Sequence, residues 1–280
     1  MKKILFPTDF SPAADNAFLY ALQMADTLKA SILVVHLYEL PQLKRNLPNT
    51  IKEVYESIEK EAYSSFQQNL PHLDAIAASN HLSHIPVSYT VKAGETLDAI
   101  NRLATSEQID FIVMGTKGAS GLKEILIGSV AAEVMENAPC PVIAIPEAAS
   151  FDGKLDRIAF ATDFKEQDLP ALKKVLAFAH DFSAKVFCVH VDTSHTETYL
   201  KRMEKLQLAI GETADLEYRV LEGSHIEQTL GDFLEAENMD LLTMVTRKRN
   251  FIQELFNYSQ TKQMAYHTKV PVLALQARNF

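Results

Sequence analysis

The sequence repeats itself, and that repeat limits the possible folds more than any other feature. "KKILFPTDFS" at residues 2–11 returns as "DRIAFATDFK" at 156–165. "ALQMADTLKASILVVHL" returns as "VLAFAHDFSAKVFCVHV" without a gap, which pairs Asp9 with Asp163 and His36 with His190. "VKAG" ending at Gly94 matches "VLEG" ending at Gly223, "DFIVMGTKG" matches "DLLTMVTRK", and "CPVIAI" matches "VPVLAL". A chain of 280 residues is long enough for each copy to bury its own core. The copies differ mainly after their second strand, where the first carries the additional helical stretch "NTIKEVYESIEKEAYSSFQQNL". "PEAASFDGK", between Pro146 and Leu155, breaks the periodicity, so the expected domains are 1–147 and 155–280. The linker is short, so the halves are expected to sit against each other.

Within each copy, strand and helix patterns alternate. Ile4–Phe6 reads as a short buried strand, followed by Ser11 as a helix N-cap and Pro12 as a first helical residue. Ala14, Phe18, Leu22, Ala25 and Leu28 then recur at helical spacing. Ile32–Val35 and Phe111–Met114 are continuous apolar runs, as parallel strands covered on both faces require. Val87–Val91 alternates more, as a strand nearer an edge would. Residues 128–137 read as a helix and Val142–Ile145 as a last strand. The fold class is therefore α/β, a doubly wound parallel sheet in each half.

Ligands of such sheets bind beyond the carboxyl ends of the strands, where strand order reverses. Pro7-Thr8-Asp9, His36-Leu37 and Gly115-Thr116-Lys117-Gly118 all leave strands at that end. A polyphosphate needs backbone amides within hydrogen-bond reach, which a Cβ on the loop often obstructs. Gly115 and Gly118 supply such a loop. Gly128-Ser129 opens the last helix, whose first amides have no intrahelical partners and favour an anion.

"GTKGASGLKEILIGSV", residues 115–130, resembles the nucleotide-binding signature of the universal stress protein family: Gly, two residues, Gly, nine residues, Gly-Ser. "PTDFS", "VVHL" and "APCPVIAIP" resemble that family's first loop, second strand end and last strand, and the likeness covers essentially the whole chain as two tandem domains. The resemblance implies two tandem doubly wound five-stranded parallel sheets with helices on both faces. In that family single domains pair through the last strand, so "PVIAI" and "PVLAL" are expected to pair internally as a pseudo-dimer. The resemblance also implies ATP as ligand, with Mg2+ as its possible companion. Asp9 would meet the adenosine, Leu37 would contact adenine through its backbone, and Met114 and Gly115 would line the ribose side. Gly118, Gly128, Ser129 and Val130 would hold the phosphates. Pro7, Thr8 and Lys117 complete the candidate cofactor-binding set.

The second copy departs from the pattern. Gly115 becomes Val245, Gly118 becomes Lys248 and Gly128 becomes Tyr258, while Asp163 and Ser259 survive. Bulky side chains there are expected to exclude ATP from the first half's mode of binding.

Other features favour plainer readings. His36 and His190 lie in different halves with no paired ligands nearby, so a structural role is expected and no metal set is assigned. His72, His81 and His84 in "HLDAIAASNHLSH" read as an exposed connection, and "TRKRN" as a solvated loop. Cys140 reads as a small buried hydrophobe. A net charge of −9 disfavours nucleic-acid and anionic-membrane partners. Two cysteines imply no disulfide framework, and with no export signal or membrane span the expected location is the cytoplasm. No catalytic residue is assigned, because the P-loop pattern "GxxxxGK[ST]" is absent. The expected role is a nucleotide-dependent stress-response regulator with an unidentified protein partner and scope for homodimerisation. The rival readings are a slow ATPase and an interaction scaffold built on the second half.

Overall fold

The computed structural model describes residues 1–40, 48–116, 128–149, 151, 153–194, 199–213, 215–246 and 269–279. The first half runs β1 (Lys3–Thr8), α1 (Pro12–Leu28), β2 (Ser31–Tyr38), α2 (Pro48–Ser79), β3 (Val87–Ala93), α3 (Thr96–Ser106), β4 (Phe111–Gly115), α4 (Ser129–Asn137) and β5 (Val142–Ile145). The second runs β6 (Arg157–Ala161), a 3-10 turn (Glu166–Asp168), α5 (Leu169–Phe182), β7 (Lys185–Asp192), α6 (Leu200–Ile210), β8 (Leu216–Glu222), α7 (Ile226–Ala236), β9 (Leu241–Thr246) and β10 (Val272–Gln276).

These strands form one sheet in the order β3-β2-β1-β4-β5-β10-β9-β6-β7-β8. Within each half the pairs are parallel, and at the centre β5 meets β10 antiparallel. Leu273 pairs with Ile143, flanked by Val272 with Ala144 and Ala274 with Val142. Because Leu273 and Ile143 are equivalent residues of the repeat, the seam is an internal two-fold contact of the kind that joins identical subunits. The expected pseudo-dimer is thus one continuous sheet, and each half covers the other's edge strand.

Alternation along the strands sends side chains to two faces. On one face Ile4, Phe6, Val113, Ile143, Ile158, Phe160 and Leu273 pack under α1, α2, α5 and α6. On the other, Leu5, Ile112, Val142, Ala159, Leu242 and Val272 pack under α3, α4 and α7. Both clusters run across the seam. Asn16 Nδ2 donates to the carbonyls of Pro146 (3.2 Å) and Ala149 (2.9 Å), which fastens the linker to α1. Gln276 Nε2 donates to the Met135 carbonyl at 2.8 Å, tying the end of β10 to α4.

The helix expected over residues 49–70 continues to Ser79, so His72 is helical and the exposed connection begins later. Pro71 lies inside it. Proline removes one hydrogen bond to the carbonyl four residues earlier. Gln67 and Pro71 both lie on the exposed side, so the carbonyl left without that bond is not enclosed in the core. His72 reaches Asp15 at 2.8 Å and His84 reaches Asp26 at 3.0 Å, so these histidines pin α2 and its following turn to α1. At 32 residues, α2 is far longer than its counterpart α6, with 11.

Candidate functional site

In the first half, strand order reverses between β1 and β4. Their carboxyl ends part there beside the end of β2, the place where sheets of this kind bind ligands. Thr8 closes β1: its Oγ1 accepts the Phe10 amide at 3.0 Å. Phe10 adopts a left-handed conformation with φ 59°, costly for a bulky residue, and that bond helps hold it there. Asp9 Oδ1 accepts the Ser11 amide at 3.1 Å, an Asx-type turn, and Ser11 caps α1 by accepting from Ala14 at 3.3 Å. Asp9 stays exposed at the crevice mouth.

Leu37 is placed by ladder alternation. The Tyr38 carbonyl accepts from Gly94 at 3.0 Å, so Tyr38 turns its main-chain groups toward β3 and Leu37 turns its own toward β1. The pairing of β1 ends at Thr8 opposite His36. The Leu37 N–H meets the Thr8 carbonyl as the last rung of that ladder, and the Leu37 C=O projects past the end of β1 as an acceptor. Pro7 lies within β1, opposite Val35. Met114 is 7% exposed in the core beneath α3 and α4, so only its main chain and the neighbouring Gly115 can border the crevice.

Gly128 caps α4 without a side-chain bond. Its own amide donates to the Thr116 carbonyl at 2.7 Å, so it is not a free donor. An added Cβ would lie 3.2 Å from that same oxygen. Its role is close approach, bringing the loop end against β4. The first bond of the α4 ladder runs from the Ala132 amide to the Gly128 carbonyl at 3.0 Å. The amides of Ser129, Val130 and Ala131 precede that ladder, and Ser129 and Val130 are exposed. Lys117 and Gly118 lie outside the described residues, as do Lys248, Tyr258 and Ser259.

Two participants escaped the sequence reading. Thr116 is 2% exposed, and its carbonyl is the anchor for Gly128; its only signal was the Gly-Thr pair after β4. The long α2 also reaches the site. The Tyr38 phenol is pushed above its ordinary value by burial and then by the nearby Glu59 carboxylate, which places α2 beside the end of β2. Phe66 of α2 packs against Phe10 (ring centroids 5.9 Å) and His36 (6.4 Å) beneath the first loop. His36 and His190 each set Nδ1 3.0 Å from a carbonyl, of Thr8 and Thr162 respectively. Among the described residues no three His, Cys, Asp or Glu side chains cluster as metal ligands. No described helix is long and apolar enough to cross a membrane.

A family model described as the universal stress protein family matches residues 1–146 and again 154–276. The chain belongs to the universal stress protein family. Universal stress protein MJ0577 of Methanocaldococcus jannaschii is 30% identical over 158 residues, which cover 51% of this chain and 94% of that protein. A universal stress protein of Thermus aquaticus is also 30% identical, over 51% of this chain and 98% of its own length. Each relative thus matches about half the chain, as single-domain members of the family do against a tandem one. The crystal structure of a universal stress protein from Archaeoglobus fulgidus aligns over 98% of both chains at 20% identity with a TM-score of 0.72, which shows the same fold at full length.

Proposed function

We propose that the first half binds an adenine nucleotide, ATP foremost, and that the protein is a nucleotide-dependent stress-response regulator of the cytoplasm. The observation that carries this reading is the contact of Gly128 with Thr116. It brings the start of α4 against the end of β4, where the Ser129, Val130 and Ala131 amides precede the helical ladder. Each such contact to an exposed helix end contributes about 0.3–1 kcal/mol, so phosphate affinity comes from several acting together.

The remaining residues fit the rest of the ligand. The main-chain carbonyl of Leu37 offers an acceptor to the adenine, Gly115 borders the ribose, and Asp9 stands beside them. There its carboxylate reaches a ribose hydroxyl or a Mg2+ carried on the phosphates. Bound nucleotide biases whichever conformation or assembly it binds more tightly, and by no more than that difference in affinity.

Calorimetric titration of ATP into the full chain and into its Gly128→Val variant tests this reading. Valine places two further methyl groups against the Thr116 carbonyl, so affinity falls at least about tenfold, roughly 1.4 kcal/mol. Unchanged affinity in a folded variant removes the cradle.

A further inference from the structure

The ten-stranded sheet ends on β8, and no residue of that strand is fully buried. The Val186 amide donates to the Asp215 carbonyl at 2.7 Å, so odd-numbered residues of β8 turn their main-chain groups toward β7. Tyr218 and Val220 therefore turn theirs outward, and among the described residues no strand lies beyond them. Open edges invite pairing and are commonly guarded by charges that repel a second strand.

The charges of β8 do the reverse. Glu217 and Arg219 share the sheet face opposite Tyr218 and pair with each other, and Lys185 reaches Glu217 at 2.8 Å. They form a fixed doublet of opposite sign, with the Arg219 side chain 44% exposed. Lay a second β8 antiparallel to the first, about a two-fold axis at Tyr218. Residue 217 of each copy then faces residue 219 of the other, Leu216 faces Val220, and Tyr218 exchanges both main-chain bonds with its counterpart. Doublet meets doublet head to tail, and each facing pair of opposite charges contributes about 0.2–1 kcal/mol. Moving the axis to residue 217 sets glutamate against glutamate, and moving it to 219 sets arginine against arginine. The charges thus select one register. The covering layer agrees. Beside this edge α6 frames a hollow of about 910 Å³ bordered by Gln207, Leu208, Gly211, Leu216 and Tyr218. Leu208 is 84% exposed there, whereas Leu206 of the same helix is 3% exposed. The same axis sets the two hollows, each with its Leu208, side by side on one face of the joined sheet.

We propose that β8 is the docking edge for a second copy of this chain, which pairs with it antiparallel about Tyr218 and joins two ten-stranded sheets into a two-fold dimer. The proposal concerns neither crevice, so it and the nucleotide reading can fail separately. A strand of seven residues makes a narrow seam, so the dimer is reversible and forms in the micromolar range.

Sedimentation equilibrium of the full chain is the test, with a melting curve for each variant. A monomer–dimer equilibrium is the expected result. Arg219→Glu alone and Glu217→Arg alone each oppose like charges across the seam, and each weakens the dimer at least about tenfold. An equimolar mixture of these two variants restores opposite charges at both facing pairs, so it dimerises at concentrations where neither does alone. Val220→Pro removes an N–H that points away from β7, which an edge strand tolerates, and it abolishes the dimer in a folded chain. A monomer at every concentration from micromolar to millimolar, or growth past the dimer, overturns the proposal. So does undiminished dimerisation in folded Arg219→Glu or Val220→Pro, or a mixture of the two folded charge variants that stays monomeric.

Discussion

Nδ1 of His36 lies 3.0 Å from the carbonyl oxygen of Thr8, so the ring donates to the last residue of β1 from the neighbouring strand. That contact joins the first loop to β2, while the ring's face meets Phe10 at 5.0 Å between centroids. A hydrogen bond to a carbonyl contributes about 0.5–1.5 kcal/mol, and truncation also opens a gap among the aromatics. His36→Ala is expected to cost about 2–3 kcal/mol of stability by urea unfolding, with His36→Asn recovering part of the loss. A loss below about 0.5 kcal/mol would leave the histidine without the structural role assigned to it.

The seam offers a sharper test. Leu273 is 1% exposed opposite Ile143. Leu273→Arg buries an unpaired charge between the halves, which costs about 3–5 kcal/mol. Both cores run through this seam, so the wild-type chain should unfold in one transition and the variant in two. Two transitions in the wild type would show that the halves fold independently.

Burial pushes the Cys140 thiol up to about 12, with the Asp110 charge adding to the effect, and burial pushes Cys188 higher still. Thiolate is the reactive form, so at pH 7 both cysteines should resist iodoacetamide in the folded chain. Mass spectrometry should find alkylation only after unfolding. Rapid labelling of Cys140 in the native state would contradict its buried placement.

Asp26 is held below the ordinary carboxylate value, first by its hydrogen bond to His84 and then by Lys29. A depressed folded-state value stabilises the fold above the unfolded carboxylate's range, near pH 4, and the gain disappears as pH falls through the folded value. Both side chains are about half exposed, so the contribution at pH 6 should stay within about 1 kcal/mol. Comparing Asp26→Asn with wild type by urea unfolding should show that difference at pH 6 and none at pH 2. An equal difference at both pH values would detach it from ionisation.

Much of this architecture was legible because its causes are local. The "PTDF" and "ATDF" copies fixed equivalent strand ends, and the runs at 142–145 and 272–275 marked two apolar edges able to cover each other. The cradle was legible in part: the Gly-Ser pair predicts the start of α4, but not that the Gly128 amide is spent on Thr116. Features set by tertiary context were hidden. The helical stretch expected over residues 49–70 runs on through the exposed Pro71 to Ser79. Left-handed Phe10 and Phe164 run against their residue type and are held by the hydroxyls of Thr8 and Thr162. No motif marks Asp168 in the sequence, yet it is the buried clasp of the second loop.

The antiparallel meeting of β5 and β10 also bears on how such a molecule can evolve. Two identical subunits joined through the same strands must alter both clefts with every mutation. Here one gene encodes both partners at a fixed ratio of one to one, so a substitution such as valine at position 245 changes its own crevice and leaves the other intact. Covalent fusion thereby frees the two halves of a symmetric assembly to diverge separately.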